Sequence, residues 1–201
     1  TQINIMNPPR HGKKLLVLDL DHTLLDFTRR NQSQMNDLRR PYMDDFLIAC
    51  YRHYDLVVWS QTRWHWVEIK LTEMGMITHP SYKVCFALDR ACMFKVTREH
   101  KSKTREHEVK ALDIIWRKFP DRWSAKNTVH VDDLSRNFAL NPQSGLECTA
   151  YKRRRRNAEH DRELLELAAY LEYIAEQHDD FTKLDHKNWR ESLQRAIDRR
   201  N

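Results

Sequence analysis

The sequence has 201 residues, 40% hydrophobic and 32% charged, which suffices for one sizeable core with a small appendage. It has no apolar run of membrane-spanning length and no signal-peptide pattern, so a membrane partner is not predicted. The net charge of +6 favours acidic partners such as phosphoproteins, nucleic acid or an acidic assembly.

The chain begins at Thr1 rather than Met, so we expect a fragment of a longer protein. Its four cysteines form no C-x-x-C pair, which argues against a zinc site or a disulfide framework. We therefore expect a reducing intracellular compartment.

The first half of the chain alternates predicted strands and helices after a linker over 1–12, which holds two prolines and a glycine. A buried strand is predicted over 14–20, and a helix over 43–53 follows the Arg-Pro pair that favours a helix start. A second strand at 55–60 precedes a helix that we expect to end at Gly75.

The second half continues with short strands at 82–89 and 91–96 and a polar stretch, 97–108, predicted as a mobile loop. Residues 109–119 have a helical pattern, and a third short apolar strand is expected over 127–133. Helices follow from Glu159 onward, with predicted core-facing apolar residues at Leu164, Leu167, Leu171 and Ile174, and in a final helix at Trp189, Leu193 and Ile197.

This alternation predicts an α/β fold with βαβ units and a parallel sheet. Ligands of such sheets bind beyond the carboxyl ends of the strands. Three predicted strands carry polar residues there, namely Asp19 with Asp21, Ser60, and Asp132 with Asp133. Their convergence predicts a functional site at this edge.

The Asp19–Asp21 pair has three interpretations. A calcium loop of the EF type needs Gly at its sixth position and an acidic residue at its twelfth, but these positions hold Leu24 and Arg30. A single aspartate at a strand end can simply cap a turn. Two aspartates, followed by Thr23 and matched by a second acidic pair, favour catalysis instead.

The chemistry that suits paired carboxylates with further oxygen ligands is phosphoryl transfer. Mg²⁺ offsets the repulsion between a phosphate dianion and an anionic nucleophile. One carboxylate attacks phosphorus, and its neighbour protonates the leaving alkoxide and then activates water. A hydroxyl and a lysine are needed for the remaining phosphate oxygens.

The segment "DLDHTL" resembles the D-x-D-x-T signature of haloacid dehalogenase-type phosphatases, in the branch that acts on the C-terminal domain (CTD) of RNA polymerase II. Segments such as "RPYMDDFL", "YDLVVWSQT" and "VDDLSRNFALNPQSGL" are similar to the CTD phosphatases that carry a ubiquitin-like domain. The likeness runs from Asn7 to about Trp189.

The resemblance implies a Rossmann-like fold, with a central, mostly parallel sheet flanked by helices, a small β insertion and C-terminal helices. The phosphatase domain is then expected over 13–201, with a helical extension at about 158–201. The ubiquitin-like domain of the family is expected to be absent from this chain.

The resemblance also assigns roles. Asp19 is the expected nucleophile and a Mg²⁺ ligand, and Asp21 the general acid and base, whose backbone carbonyl also faces the metal. Thr23 is expected to orient Asp21, and we assign it with Ser60 and Lys110 to the phosphate site. Lys110 is also expected to stabilise the aspartyl-phosphate.

The last acidic pair completes the expected metal site. Asp133 matches the family's metal ligand best, and Asp132 lies beside it, acting directly or through water. Which of the two binds the metal directly is left open by the sequence.

The predicted function is a Mg²⁺-dependent protein serine/threonine phosphatase with a phosphoprotein substrate. The alternatives are a pseudophosphatase that binds phosphoproteins without turnover, and a phosphotransferase. The resemblance implies nuclear localisation and association with the 26S proteasome through the ubiquitin-like domain. A monomer without direct nucleic-acid binding is expected.

Two further patterns require interpretation. The basic run "KRRRR", Lys152–Arg156, is either a solvated loop or a signal for nuclear import or docking. Two C-x₅-R matches, starting at Cys92 and Cys148, share the spacing of cysteine phosphatases but lack the glycines that a phosphate-binding loop requires. We interpret both matches as coincidental.

Overall fold

The computed structural model describes residues 3–27, 38–100 and 103–199. Its strands, in chain order, are β1 (Lys14–Leu18), β2 (Tyr54–Trp59), β3 (Val84–Leu88), β4 (Phe94–His100), β5 (Lys103–Val109), β6 (Thr128–Asp132) and β7 (Gly145–Glu147). Its α-helices are α1 (Met43–Tyr51), α2 (Trp64–Glu73), α3 (Asp113–Lys118), α4 (Glu163–Gln177) and α5 (Trp189–Asp198).

The central sheet has five strands in the order β3–β2–β1–β6–β7, and every neighbouring pair is parallel. The predicted α/β fold is therefore confirmed. Leu18 at the end of β1 pairs with Val58 on one side and Val131 on the other. This register aligns the carboxyl ends of the three central strands, where the polar residues follow.

The core lies on both faces of this sheet because side chains alternate along each strand. Leu16 and Leu18 of β1 belong to a cluster with α1, α2, α4 and α5. Leu15 and Val17 face the other way, into a smaller cluster that includes Ile115 of α3 and Trp123. These four apolar side chains of β1 are fully buried, as the apolar run predicts.

The prediction of a loop over 97–108 is wrong for residues 97–100 and 103–108, which lie in strands, and residues 101 and 102 lie outside the described part of the chain. β4 and β5 form an antiparallel two-stranded sheet, in which Lys95 pairs with Glu108 and Thr97 with Glu106. Pairing of a lysine with a glutamate across the strands is favourable even though the residues are polar. The hydrophobic pattern is therefore a poor guide here. This hairpin is the small β insertion that the resemblance implies.

Other boundaries differ from the predicted ones in smaller ways. The helix expected over 109–119 is limited to α3, because Val109 still belongs to β5. β7 was not predicted, since three residues are too few for a recognisable pattern. The stripe Leu164, Leu167, Leu171 and Ile174 is buried as predicted, but Ile197 of the final helix is 44% exposed.

The segment predicted as a linker packs on the domain. The backbone amides of Met6 and Asn7 both donate to the Cys85 carbonyl on β3, at 2.8 and 3.1 Å. Arg10 Nε donates to Asp55 Oδ1 at 2.8 Å, which fixes the segment to the start of β2. Residues 3–10 thus lie along the sheet, while the domain boundary itself stays a prediction.

Candidate active site

Asp19 and Asp132 lie side by side at the carboxyl ends of adjacent strands. The Asp19 amide donates to the Val131 carbonyl at 3.0 Å, which continues the β1–β6 ladder by one residue. Asp19 is 4% exposed and Asp132 is fully buried. The parallel register therefore places two carboxylates in a site almost closed to water.

Lys110 is the cation that holds these two carboxylates together. Its ammonium donates to Asp19 Oδ1 at 2.6 Å and to Asp132 Oδ2 at 2.5 Å. Lys110 directly follows β5, so the insertion delivers it to the site. The Asn137 side-chain amide also donates to Asp132 Oδ2, at 2.8 Å. Sequence likeness predicted Lys110, and the structure places it at the centre of the cluster.

The cluster shifts the proton affinities of its members in opposite directions. Burial raises the pKa of Asp19 to about 7; the Lys110 ammonium opposes this increase and the Asp132 carboxylate adds to it. Burial also acts to raise the pKa of Asp132, but Lys110 and His130 outweigh it and hold that pKa well below its usual range. Lys110 thus stabilises the charged form of Asp132 more effectively than that of Asp19, and a further cation near Asp19 would favour its ionised form.

The oxygen set around Asp19 fits a divalent metal ion. Carboxylate oxygens of Asp19, Asp132 and Asp133 lie within 4.8 Å of one another. Hard cations such as Mg²⁺ are bound by one or two carboxylates together with waters. Asp132 already accepts from Lys110, Asn137 and the Leu134 amide, whereas the half-buried Asp133 lines the open cavity. This difference favours Asp133 as the direct ligand.

Asp21 is placed by a tight turn after β1. The amides of Thr23, Leu24 and Leu25 all donate to the Leu20 carbonyl, at 3.2, 2.9 and 3.1 Å. His22 takes the left-handed conformation with φ of 66°, which lets the chain reverse. The turn leaves the Asp21 side chain 28% exposed.

A second buried lysine contacts Asp21. Lys70 on α2 donates to Asp21 Oδ2 at 2.5 Å, and its ammonium lies 3.4 Å from Thr62 Oγ1. The residue is 1% exposed. The sequence contained a signal for it, since Lys70 lies on the buried face of α2 between Val67 and Leu71. A lysine on a core-facing stripe requires a specific partner.

The two hydroxyl residues predicted for the phosphate site, Ser60 and Thr23, have different hydrogen-bond partners. Ser60 is buried after β2, and its Oγ lies 2.8 Å from Thr62 Oγ1, which lines the cavity. The Thr23 hydroxyl accepts from Cys148 Sγ at 3.7 Å and, in the described part of the chain, forms no hydrogen bond with Asp21. Thr62 thus joins the site, although the sequence analysis did not single it out.

These groups meet at a cavity of about 690 Å³. Its wall combines the acidic and basic groups with aromatic side chains, and its lining residues are Asp19, Asp21, His22, Phe27, Gln61, Thr62, Trp66, Lys70, Asp133 and Leu134. The Phe27 and Trp66 rings pack edge to face with centroids 6.0 Å apart. Neither aromatic residue was predicted, since nothing in the strand-end pattern points to them.

The cysteine alternative has no support in the structure. Burial raises the pKa of Cys148 to about 12, and it also raises the pKa of Cys92. A nucleophilic cysteine needs a lowered pKa. Both C-x₅-R matches are therefore coincidental, as predicted.

Comparison with known proteins agrees with this geometry. Residues 14–182 match the family model of NLI interacting factor-like phosphatases. Ubiquitin-like domain-containing CTD phosphatase 1 of Gallus gallus is 44% identical over 192 residues, which covers 96% of this chain and 59% of that protein. The Homo sapiens protein of the same name has the same identity and coverage. The chain thus spans 59% of the length of these curated relatives.

A solved structure supports the fold. The structure of Fcp1, an essential RNA polymerase II CTD phosphatase, has a TM-score of 0.57 and 13% identity, covering 85% of this chain and 69% of that chain. In the described residues, no helix is both long and apolar enough to cross a membrane. The family match, the relatives and the fold agree with the predicted phosphatase, and the chain belongs to the NLI interacting factor-like phosphatase family.

Proposed function

We propose that this domain is a Mg²⁺-dependent protein serine/threonine phosphatase that forms an aspartyl-phosphate on Asp19. The observation that carries the proposal is the Asp19 carboxylate at a strand end, held by Lys110 at 2.6 Å and facing the same cavity as Asp21. A nucleophile, a proton carrier and a fixed cation therefore share one site.

In the first half-reaction, an Asp19 oxygen attacks the phosphorus of the phosphoserine or phosphothreonine. The bond from phosphorus to the side-chain oxygen breaks, and Asp21 gives a proton to that oxygen as it leaves. Lys110 interacts with the negative charge on the transferring phosphoryl oxygens. The product hydroxyl leaves, and the phosphoryl group remains on Asp19.

In the second half-reaction, Asp21 accepts a proton from water while the water oxygen attacks phosphorus. The bond between phosphorus and the Asp19 oxygen breaks, which releases inorganic phosphate and restores the Asp19 carboxylate. Asp21 ends with the proton that the next cycle needs. The same residue thus serves both steps.

We assign the metal to Asp19, Asp133 and the backbone carbonyl of Asp21, with Asp132 supporting the site through Lys110. When bound, Mg²⁺ supplies positive charge that offsets the repulsion between the attacking carboxylate and the phosphate dianion. The raised pKa of Asp19 supports this assignment, because a nearby cation favours the ionised form of a buried carboxylate.

The phosphate site includes hydroxyl donors as well as Lys110. Ser60 positions Thr62 through their 2.8 Å contact, and Thr62 presents its hydroxyl to the cavity. Thr23 is proposed to act on Asp21 indirectly. It is fully buried in the turn that carries Asp21 and helps to hold that turn in place.

The biological setting is proposed from the relatives. The name of these relatives refers to a ubiquitin-like domain and to CTD phosphatase activity. We propose both features for the protein to which this chain belongs. We propose a monomeric domain that acts in the nucleus and associates with the 26S proteasome through a ubiquitin-like domain.

Hydrolysis of p-nitrophenyl phosphate tests the proposed function. We expect turnover with Mg²⁺, loss of turnover with EDTA, and loss of turnover in Asp19→Asn. Asp121→Asn is the matched control, since Asp121 is exposed and lies near the opposite, amino-terminal end of the strands. Full activity of Asp19→Asn would contradict the nucleophile assignment.

Asp21→Asn separates an enzyme from a binding module. We expect this variant to bind a phosphopeptide and to hydrolyse it at least about 10²-fold more slowly, because general acid–base catalysis contributes at least that much. Wild-type protein that binds the phosphopeptide without any turnover would instead support the pseudophosphatase alternative.

A further inference from the structure

The basic run Lys152–Arg156 lies on the surface of the domain. All five residues are exposed. In the part of the chain that the structure describes, none of them forms a salt bridge. Five adjacent cations repel one another, so the run is a site of concentrated positive potential.

The run is fixed to the turn that carries Asp21. Tyr151, which directly precedes the run, is 5% exposed, and its amide donates to the His22 carbonyl at 2.6 Å. A His22 ring nitrogen lies 3.0 Å from the Tyr151 carbonyl, and the Arg153 amide donates to Asp26 Oδ2 at 3.0 Å. Because His22 lines the active-site cavity, the run begins at the rim of that cavity.

A second cavity lies beside the chain segment that leads into the basic run. It has a volume of about 760 Å³, and its lining includes Cys148, Thr149 and Ala150, which lead directly into Tyr151. Asp133 lines both cavities. A peptide whose phosphorylated residue occupies the active site would therefore have open space on the side where the basic run begins.

Electrostatic complementarity supports binding of the substrate by the basic run. The site holds four carboxylates, of Asp19, Asp21, Asp132 and Asp133, and two ammonium groups contact them. The Mg²⁺ assigned above would balance these charges, so the site itself offers no net positive charge to acidic residues beyond the phosphate. Exposed cations at the rim supply the complementary potential that steers a phosphorylated, acidic segment into place.

We propose that the basic run is a docking site for acidic residues of the protein substrate that flank the phosphorylated residue. The inference rests on the proposed function, since it concerns the substrate of the same site. It assigns to Lys152–Arg156 a role in substrate choice and none in the chemical steps.

The test compares two phosphoserine peptides, one flanked on both sides by Asp and Glu and the other by Asn and Gln. In the variant with Arg153–Arg156 all changed to Gln, we expect kcat/KM for the acidic peptide to fall about tenfold, mainly through KM. The neutral peptide and p-nitrophenyl phosphate should change less than about twofold, because they make no ionic contact with the run.

A matched control removes four charges elsewhere. Arg52, Lys118, Arg122 and Lys126 are exposed and lie near the amino-terminal ends of the strands, and all four are changed to Gln. This variant should keep the wild-type preference for the acidic peptide. Raised salt should reduce that preference in the wild type but not in the Arg153–Arg156 variant, because exposed ionic contacts are screened.

Equal kcat/KM values of wild type and the Arg153–Arg156 variant on the acidic peptide would overturn the proposal. So would an equal loss on both peptides, or loss of binding to a single-stranded oligonucleotide with peptide preference intact. Each of these results leaves p-nitrophenyl phosphate turnover in place. Failure of docking is therefore distinguishable from failure of the proposed function, which would abolish that turnover.

Discussion

Lys70 shows how a single buried residue defines the geometry of the site. Its ammonium has two described polar contacts, Asp21 Oδ2 at 2.5 Å and Thr62 Oγ1 at 3.4 Å. A buried ammonium is costly without a partner, so the Asp21 carboxylate is drawn to one position. The Lys70 ammonium thus fixes the position of the Asp21 carboxylate, so we expect Lys70 to be a positioning residue for the proposed proton carrier.

Lys70→Met should therefore affect substrates according to their leaving group. We expect kcat/KM for a phosphoserine peptide to fall about 10²-fold, because the serine oxygen needs the proton from a well-placed Asp21. p-Nitrophenyl phosphate should lose far less, since nitrophenolate leaves without protonation. Measurement of kcat/KM on both substrates, with Lys70→Arg expected to retain most activity, checks this. Equal losses on both substrates would indicate a structural role only.

The candidate site residues were predictable to the extent that strand ends and the family signature mark them. Asp19, Asp21 and Asp133 line one cavity, and Lys110 contacts Asp19 and Asp132 beside it. Thr62 was missed because its position depends on the packing of α2 against the β1 turn, and Lys70 was missed although its place on the apolar face of α2 marks it.

Arg40, which lies just before α1, links its own segment to two segments that are distant in the sequence. It donates to the Thr23 carbonyl in the Asp21 turn at 3.1 Å. It also donates to Asp161 Oδ2 and Glu163 Oε2, both at 3.0 Å, at the start of α4. The Arg40 side chain is fully buried, whereas the carboxylates are 21% and 9% exposed. This contact fixes the C-terminal helices to the active-site turn.

Arg40→Met should lower the free energy of unfolding by about 3 kcal/mol, because it removes the buried guanidinium from Asp161 and Glu163, although Glu163 keeps its contact with Arg190. Urea denaturation of Arg40→Met and of the exposed-site control Arg52→Met measures the difference. A loss in Arg40→Met no larger than that in Arg52→Met would show that the contact is not a structural link.

The packing of α4 against the short 3₁₀ helix His186–Asn188 predicts a pH dependence of stability. Burial lowers the pKa of His186 to about 4, with Asp185 opposing the effect, and the ring lies 2.9 Å from the Tyr170 hydroxyl oxygen. The unfolded chain binds the proton near the ordinary pKa of 6.5. Between these values the unfolded state holds more protons, so stability falls as the pH decreases.

The expected loss from this group between pH 7 and pH 4 is roughly 3 kcal/mol. His186→Gln should remove that part of the pH dependence, while His65→Gln, at an exposed position, should keep it. Urea denaturation at several pH values tests this, and an unchanged pH profile in His186→Gln would contradict the assignment.

Helices and strands with a clear apolar pattern were predicted from the sequence. Strands that depend mainly on pairing with a neighbouring strand were missed or predicted only in part. β1 buries a continuous apolar run, and α4 buries an apolar stripe at helical spacing. Both elements lie where the sequence predicts them. The β4–β5 hairpin was predicted only in part, by the strand expected over 91–96 and by the small β insertion that the resemblance implies. The rest was missed because its described side chains are largely polar or exposed, and antiparallel pairing of two neighbouring strands stabilises it. β7 depends on Gly145, where an added Cβ would lie 2.3 Å from Phe138 Cγ, a close approach that only the structure reveals.

The whole molecule should be more stable with the metal than without it. Carboxylates from β6 and from the end of β1 converge in the folded state, and the unfolded chain does not bring them together. A ligand that binds only the folded state adds stability, about 2.7 kcal/mol at a concentration of 100 times its dissociation constant. Metal binding and folding are thus linked through the same sheet edge.

We therefore expect Mg²⁺ to raise the Tm of the wild-type domain and EDTA to reverse the increase. Asp133→Asn should lose most of the increase, whereas Asp121→Asn should retain it. Differential scanning calorimetry makes this comparison without any activity assay. An increase of the same size in Asp133→Asn would contradict the ligand assignment.

The central claim is that Asp19 carries the phosphoryl group during turnover. Acid quenching of the working enzyme, followed by borohydride reduction, converts an aspartyl-phosphate into homoserine, which peptide sequencing by mass spectrometry can locate. We expect homoserine at position 19 only when substrate and Mg²⁺ are both present. Homoserine at position 21, or none in enzyme quenched during rapid turnover, would contradict it.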